Sequence, residues 1–115
     1  MRRGEVRLID LDPTRGSEAN KRRPAVIVSN DGANSAADRF GRGVITVVPI
    51  TSNTDRVYPF QVAIPARTAG LRARSKAQAE QVRAVAVERV GELLGRLPTE
   101  LITELDDALR LHLAL

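Results

Sequence analysis

Two short polar stretches hold most of the side chains in this sequence that could do chemistry. The first, Gly16 to Asp31, reads G-S-E-A-N-K-R-R-P-A-V-I-V-S-N-D and sets Glu18, Lys21, Arg22 and Arg23 just before Pro24 and the apolar run Ala25-Val26-Ile27-Val28. Proline fixes its own φ and pushes the preceding residue into an extended conformation, so Arg23 is held at the mouth of a strand. The second stretch is Thr51-Ser52-Asn53-Thr54-Asp55, a cluster of hydroxyl, amide and carboxylate side chains after another apolar run. It reads either as a loop for chemistry or as a plain turn, because Ser, Asn and Asp bond their own backbone in turns. A carboxylate, guanidinium groups and hydroxyls on loops fit one reaction well. RNA carries its own nucleophile in the 2′-hydroxyl, so cutting it needs in-line orientation, proton movement and cations around a phosphorane, without metal or cofactor. Glu18 could accept the 2′-hydroxyl proton, and Arg23 could bind the non-bridging oxygens. A guanidinium with a pKa above about 12 carries protons poorly, so electrostatics ranks first for Arg23 and general acid second.

The rest of the composition removes other chemistries. There is no cysteine, hence no disulfide, thiolate zinc site or thiol nucleophile, in keeping with a reducing compartment. The one histidine, His112, falls in a leucine-rich C-terminal segment and reads as structural. No metal site is expected. Asp106-Asp107 reads as a solvated helix face, and Gly41-Arg42-Gly43 lacks the rest of any phosphate-binding glycine motif. Gly4-Glu5-Val6-Arg7 stands where a signal peptide would need its apolar stretch. The longest apolar runs are about five residues, far short of the roughly 20 that span a bilayer, so a soluble, cytoplasmic protein is expected. Net charge is +4, unevenly spread: residues 1–83 carry fifteen basic against eight acidic side chains, and residues 84–115 three against six. A polyanion or an acidic partner for the basic part follows from that asymmetry.

These side chains need a scaffold, and 115 residues suffice for one domain, residues 1–115. Strands are expected over Gly4–Leu11, Pro24–Ser29, Gly43–Ile50, Phe60–Ile64 and Ser75–Arg83, from β-branched content and alternation. Between the first two runs a long polar loop, Pro13–Arg23. Asn30-Asp31-Gly32 breaks the second strand, with one or two helical turns after it over Ala33–Arg39. Ala66–Arg74 reads as a basic loop. Val85–Leu97 carries a helical stripe interrupted by Gly91 and Gly95, and a turn followed by a strand at Glu92–Arg96 is the better compromise. A helix opens at Pro98-Thr99-Glu100 with Thr99 as N-cap and runs to the C-terminus, with Leu101, Leu105, Ala108 or Leu109 and His112 at helical spacing. Short strands plus a terminal helix give a mainly β fold, a small curved sheet or barrel.

The order G-S-E, R-P before a β-branched strand ending N-D, I-T-S after the third strand, then E-Q-V-R and a leucine-rich terminal helix, resembles the MazF/PemK toxins of bacterial toxin–antitoxin systems. The likeness runs from Arg3-Gly4-Glu5 to Leu115, and R-R-G-E with G-S-E-A-N is closest to actinobacterial members. It implies a small SH3-like barrel with a C-terminal α-helix, a homodimer, and metal-independent, sequence-specific cleavage of single-stranded RNA to a 2′,3′-cyclic phosphate and a 5′-hydroxyl. It also implies an acidic, MazE-like antitoxin covering the RNA groove. Carried over, the catalytic arginine and threonine fall on Arg23 and Thr51, and the loop glutamate on Glu18. Asn20, Lys21, Ser52, Asn53, Lys76, Gln81 and Arg83 make up the RNA-binding set. Asn20-Lys21-Arg22 replaces the glycine-rich approach common in relatives. Only Phe40, Tyr58 and Phe60 are available to stack bases. Two other readings compete: a non-enzymatic CcdB-like toxin that binds a protein such as gyrase, and an SH3-like RNA-binding module without catalysis. Neither gives Glu18, Arg23 and Thr51 a joint task.

Overall fold

The computed structural model describes residues 1–11 and 22–115. Glu18, Asn20 and Lys21 lie outside the described residues. The strands are β1 (Glu5–Asp10), β2 (Arg22–Ile27), β3 (Val44–Thr51), β4 (Gln61–Ile64), β5 (Ser75–Gln78), β6 (Arg83–Ala86) and β7 (Val90–Arg96), with helices α1 (Asp31–Phe40) and α2 (Thr99–Leu113). All pairings are antiparallel, in the order β4-β5-β3-β2-β1-β7, and β6 also pairs with β3.

Successive side chains of a strand point to opposite faces, and here both faces are covered. Val6, Val26, Val48 and Ile50 join a core completed by Leu105 and Ala108 of α2. Ile9, Ala25, Ile27, Ile45 and Val47 face a second core that includes Ala37 of α1. Two buried faces explain why β2 and β3 read as continuous apolar runs and not as alternating ones. Burying each Val or Ile contributes about 1.5–3 kcal/mol.

Several expected boundaries move, each for a local reason. Arg22 and Arg23 are not loop residues: they pair with Asp10 and Ile9 as the first rungs of β2. Asn30 does not merely break a strand. Its Oδ1 accepts a hydrogen bond from Ala33 N at 2.8 Å, which makes it the N-cap of a helix of 10 residues that ends on Gly41 in the left-handed region. The fully buried Asn34 ties this helix to the sheet, donating to Ser29 O at 2.9 Å and accepting from Ser29 Oγ. Arg3 N donates to Asp31 Oδ1 at 2.7 Å, and that bond, followed by one from Asn34, holds the Asp31 carboxyl below its ordinary pKa.

The strand expected over Ser75–Arg83 is two strands separated by a 3₁₀ turn at Ala79–Gln81. Both run along one edge of β3: β5 pairs with Ile50 and Thr51, and β6 with Val44–Val47. The turn, closed by Val82 N donating to Ala79 O, steps the chain across the gap as the sheet curves. β6 takes in residues expected in a turn, and β7 begins at Val90, earlier than Glu92. Pro98, not Thr99, is the N-cap of α2, and Thr99 is its first helical residue. Leu105 and Ala108 are buried and Leu101 and Leu109 pack beside them, whereas His112 is exposed. Asp106 is not simply solvated, since it accepts from Arg3 Nη2 at 2.6 Å; Asp107 pairs with Arg110.

The Ala66–Arg74 segment closes the gap between the two outer strands of the sheet. Arg67, Ala69 and Gly70 all have positive φ, and the segment lies against β7. A Cβ on Gly95 would stand 2.5 Å from the Ala69 carbonyl carbon, and one on Gly70 would run into the Leu94 carbonyl. Only bare glycines allow so close an approach.

Candidate active site

The ends of β2 and β3 and the Ala66–Arg74 segment surround an open cleft of about 480 Å³. Its walls are Arg22, Arg23 and Pro24 from β2, Ile50, Thr51 and Ser52 from β3, and Leu71, Arg72, Ala73 and Ser75 opposite. β2 and β3 are bonded in register from Ile27↔Val47 to Ala25↔Pro49. Continuing that register to the strand ends sets Arg23 across from Thr51. Leu71 and Ser75 form a buried floor, Thr51 is half-buried, and Arg22, Arg23, Ser52 and Arg72 are exposed at the rim. Among the described residues no hydrogen bond or ion pair occupies Arg23 or Arg72. Such free guanidinium groups around a hydroxyl make a cradle for a phosphodiester.

Thr51 also has a local task. Its Oγ1 accepts from Asn53 N at 3.2 Å, and Asn53 Oδ1 accepts from Asp55 N at 3.3 Å, so this stretch is a turn and a cleft wall at once. The remaining residues of the expected set divide. Ser52 lies in the cleft; Asn53 is exposed just beyond it. Gln81 is exposed on the 3₁₀ turn, and neither it nor Arg83 lines the cleft. Arg83 donates from Nη1 to Leu11 O at 2.8 Å, and Arg89 reaches Asp10 O at 3.5 Å, so two arginines fasten the end of β1.

Lys76 is the clear correction. Expected along an RNA path, it is 8% exposed and donates from Nζ to Arg56 O at 2.6 Å. Buried and bonded to protein, its ammonium is not presented to a ligand. Arg22 and Arg72 also line the cleft: both belong to basic stretches that stand out in the sequence, R-R-P and Ala66–Arg74, and the close approach of Gly70 and Gly95 to their neighbours lets the second stretch fold in. Among the described residues no group of three or more His, Cys, Asp or Glu side chains comes together. No described helix is long and apolar enough to cross a membrane.

The chain as a whole is similar to known proteins. Over 115 residues it is 60% identical to the endoribonuclease MazF9 of Mycobacterium tuberculosis, covering 100% of this chain and 98% of the relative. It is 33% identical to the endoribonuclease EndoA of Bacillus subtilis, covering 100% and 96% of the two chains. Among solved structures, a MazE–MazF complex from Deinococcus radiodurans superposes with a TM-score of 0.80 at 26% identity, covering 100% of this chain and 96% of that one. The family described as PemK-like, MazF-like toxin of type II toxin-antitoxin system matches residues 2–113. With a match over almost the entire length, the chain belongs to the PemK/MazF family of toxins.

Proposed function

We propose that this MazF-type toxin endoribonuclease cuts single-stranded RNA in the Arg23–Thr51 cleft by transesterification, with the substrate's own 2′-hydroxyl as nucleophile. The observation that carries the reading is that Arg23 and Arg72 line the cleft together with Thr51 and, among the described residues, have no hydrogen bond or ion pair. As the 2′-oxygen attacks, negative charge builds on the non-bridging oxygens, and cations fixed beforehand stabilise it without reorganising. Arg23 supplies that charge, Arg22 and Arg72 hold the neighbouring backbone, and the Thr51 hydroxyl bonds the phosphate while its turn keeps it aimed. Glu18 is the proposed base. The P–O5′ bond breaks as the 2′-oxygen bonds phosphorus, the departing 5′-oxygen takes a proton from water, and the products are a 2′,3′-cyclic phosphate and a 5′-hydroxyl, with no metal taking part. Ser52, Asn53, Gln81 and Arg83 contact RNA further along the strand.

The protein acts as a cytoplasmic homodimer, and an acidic, MazE-like antitoxin silences it by laying carboxylates on the same arginines. A CcdB-like protein-binding toxin is not favoured: the matched family and the relatives named endoribonuclease point elsewhere. The test is digestion of a long single-stranded RNA in EDTA by wild type, Arg23→Ala and Thr51→Ala, with fragment ends chemically typed. Wild type should give site-specific cuts ending in cyclic phosphate. Loss of one preorganised donor costs about 10²–10³ in turnover, so either variant should be nearly silent. Full activity in Arg23→Ala would remove this mechanism.

A further inference from the structure

Just past the cleft, the chain between β3 and β4 builds a second feature that the cleavage chemistry leaves unused. The rings of Tyr58 and Phe60 are stacked, with centroids 5.2 Å apart and planes 5° from parallel. The Arg56 guanidinium sits over the Tyr58 ring at 5.5 Å and donates from Nη1 to the Tyr58 hydroxyl at 3.2 Å. Tyr58 nonetheless stays 41% exposed. An exposed ledge of planar groups in a chain with only 3% aromatic residues calls for a use.

The ledge is also held in position from beneath. Buried Lys76 grips the Arg56 carbonyl, Tyr58 N donates to Gln61 Oε1 at 3.1 Å, and Gln61 Nε2 donates to Glu80 Oε2 at 2.6 Å. Lys76 is the direct β-ladder partner of Thr51, so the two side chains share one face of the sheet. The ledge therefore begins one lysine side chain away from the strand position that carries Thr51. A stack of rings with a guanidinium beside a phosphate cradle offers both kinds of contact that an RNA strand needs, because bases and phosphates alternate along one chain.

The geometry points to the Arg56–Tyr58–Phe60 ledge as a base-stacking subsite that takes an unpaired nucleobase of the substrate next to the cut phosphate and contributes to which sequences are cut. Every base has a π-face, and both aromatic rings and arginine planes stack on it. The inference rests on the ribonuclease reading above, and it adds the residues that hold one flanking base.

Tyr58 is the one tyrosine of a chain without tryptophan, so tyrosine emission reports on this ledge alone. Wild-type protein would be titrated with a random-sequence 12-nucleotide 2′-O-methyl RNA, which lacks the nucleophile, following both absorbance-corrected tyrosine emission and the anisotropy of a labelled RNA. Stacking should quench the emission along the same isotherm as the anisotropy. Removing an aromatic platform typically weakens single-strand binding between about 5- and 150-fold, so Tyr58→Ala should bind at least about fivefold more weakly. Tyr58→Phe should bind within twofold of wild type. On cleavable RNA, Tyr58→Ala should still cut, with altered preference at one flanking base. RNA binding with unchanged emission and unchanged affinity in Tyr58→Ala would overturn the subsite while leaving the ribonuclease reading intact. Quenching by an acidic, aromatic-bearing peptide but not by RNA would overturn it too, assigning the ledge to a protein partner. Absence of any RNA binding or cleavage would remove both readings together.

Discussion

Arg72 enters the cleft with a free guanidinium, whereas Arg74 on the same segment is exposed but absent from the walls. A backbone contact of this kind binds by releasing counterions, and each phosphate neutralised on a single strand adds about 0.7 to the slope of log K against log salt. Arg72→Gln should therefore flatten that slope by roughly 0.7, and Arg74→Gln should leave it unchanged, in titrations of 2′-O-methyl RNA over a range of salt. Equal effects from both would mean that the segment acts only as diffuse charge. At this scale the position of Arg23 at a strand end was legible, because proline fixes the residue before it, and so was that of Thr51, which follows directly from an apolar run; both line the cleft. It was misleading for Lys76. A lysine beside small residues looks exposed, and its burial depends on a carbonyl 20 residues away, which only the tertiary fold brings to it.

Elements place these residues, and the least legible element is the most consequential. The Ala66–Arg74 segment looked like a basic loop, yet its course is dictated by contact with β7 at Gly70 and Gly95. Gly95→Ala sets a methyl against backbone that cannot move far, and overpacking of this kind costs about 1–3 kcal/mol. At about 4 °C of Tm per kcal/mol for a domain near this size, the variant should melt several degrees lower. It should also bind RNA less tightly than the fall in stability explains, because Arg72 moves with its segment; an unchanged Tm and affinity would show that the segment gives way freely. Elsewhere the elements were legible in type more than in extent. Asn30-Asp31-Gly32 has turn chemistry and helix-capping chemistry alike, and the choice falls to helix because Asn30 caps Ala33 and Asn34 bonds back to Ser29, five residues earlier. The division of β5 from β6 was hidden because both belong to one polar, small-residue pattern, and only the curvature of β3 separates them.

For the molecule as a whole, the charge asymmetry maps onto a division of labour. Arg22, Arg23 and Arg72 come from the basic part of the chain, while the acidic remainder supplies β7 and α2, which brace the sheet. The mainly β fold with its terminal helix was legible from strand patterning, and the family from the order of short motifs. Strand order was not, because β1 skips past its neighbours in sequence to pair with β7 as well as β2, Glu5 lying against Arg96. Non-local pairing of that kind is slow to form. It also orders events during translation, since domains emerge from the N-terminus onward. Ribosome-bound chains arrested with Val90–Arg96 still inside the exit tunnel should leave RNA uncut, and chains extended until α2 has emerged should cut it; cleavage by the shorter set would show that β7 is dispensable. On that expectation the last strand to join the sheet sets the moment in its own synthesis at which the toxin becomes able to cut RNA.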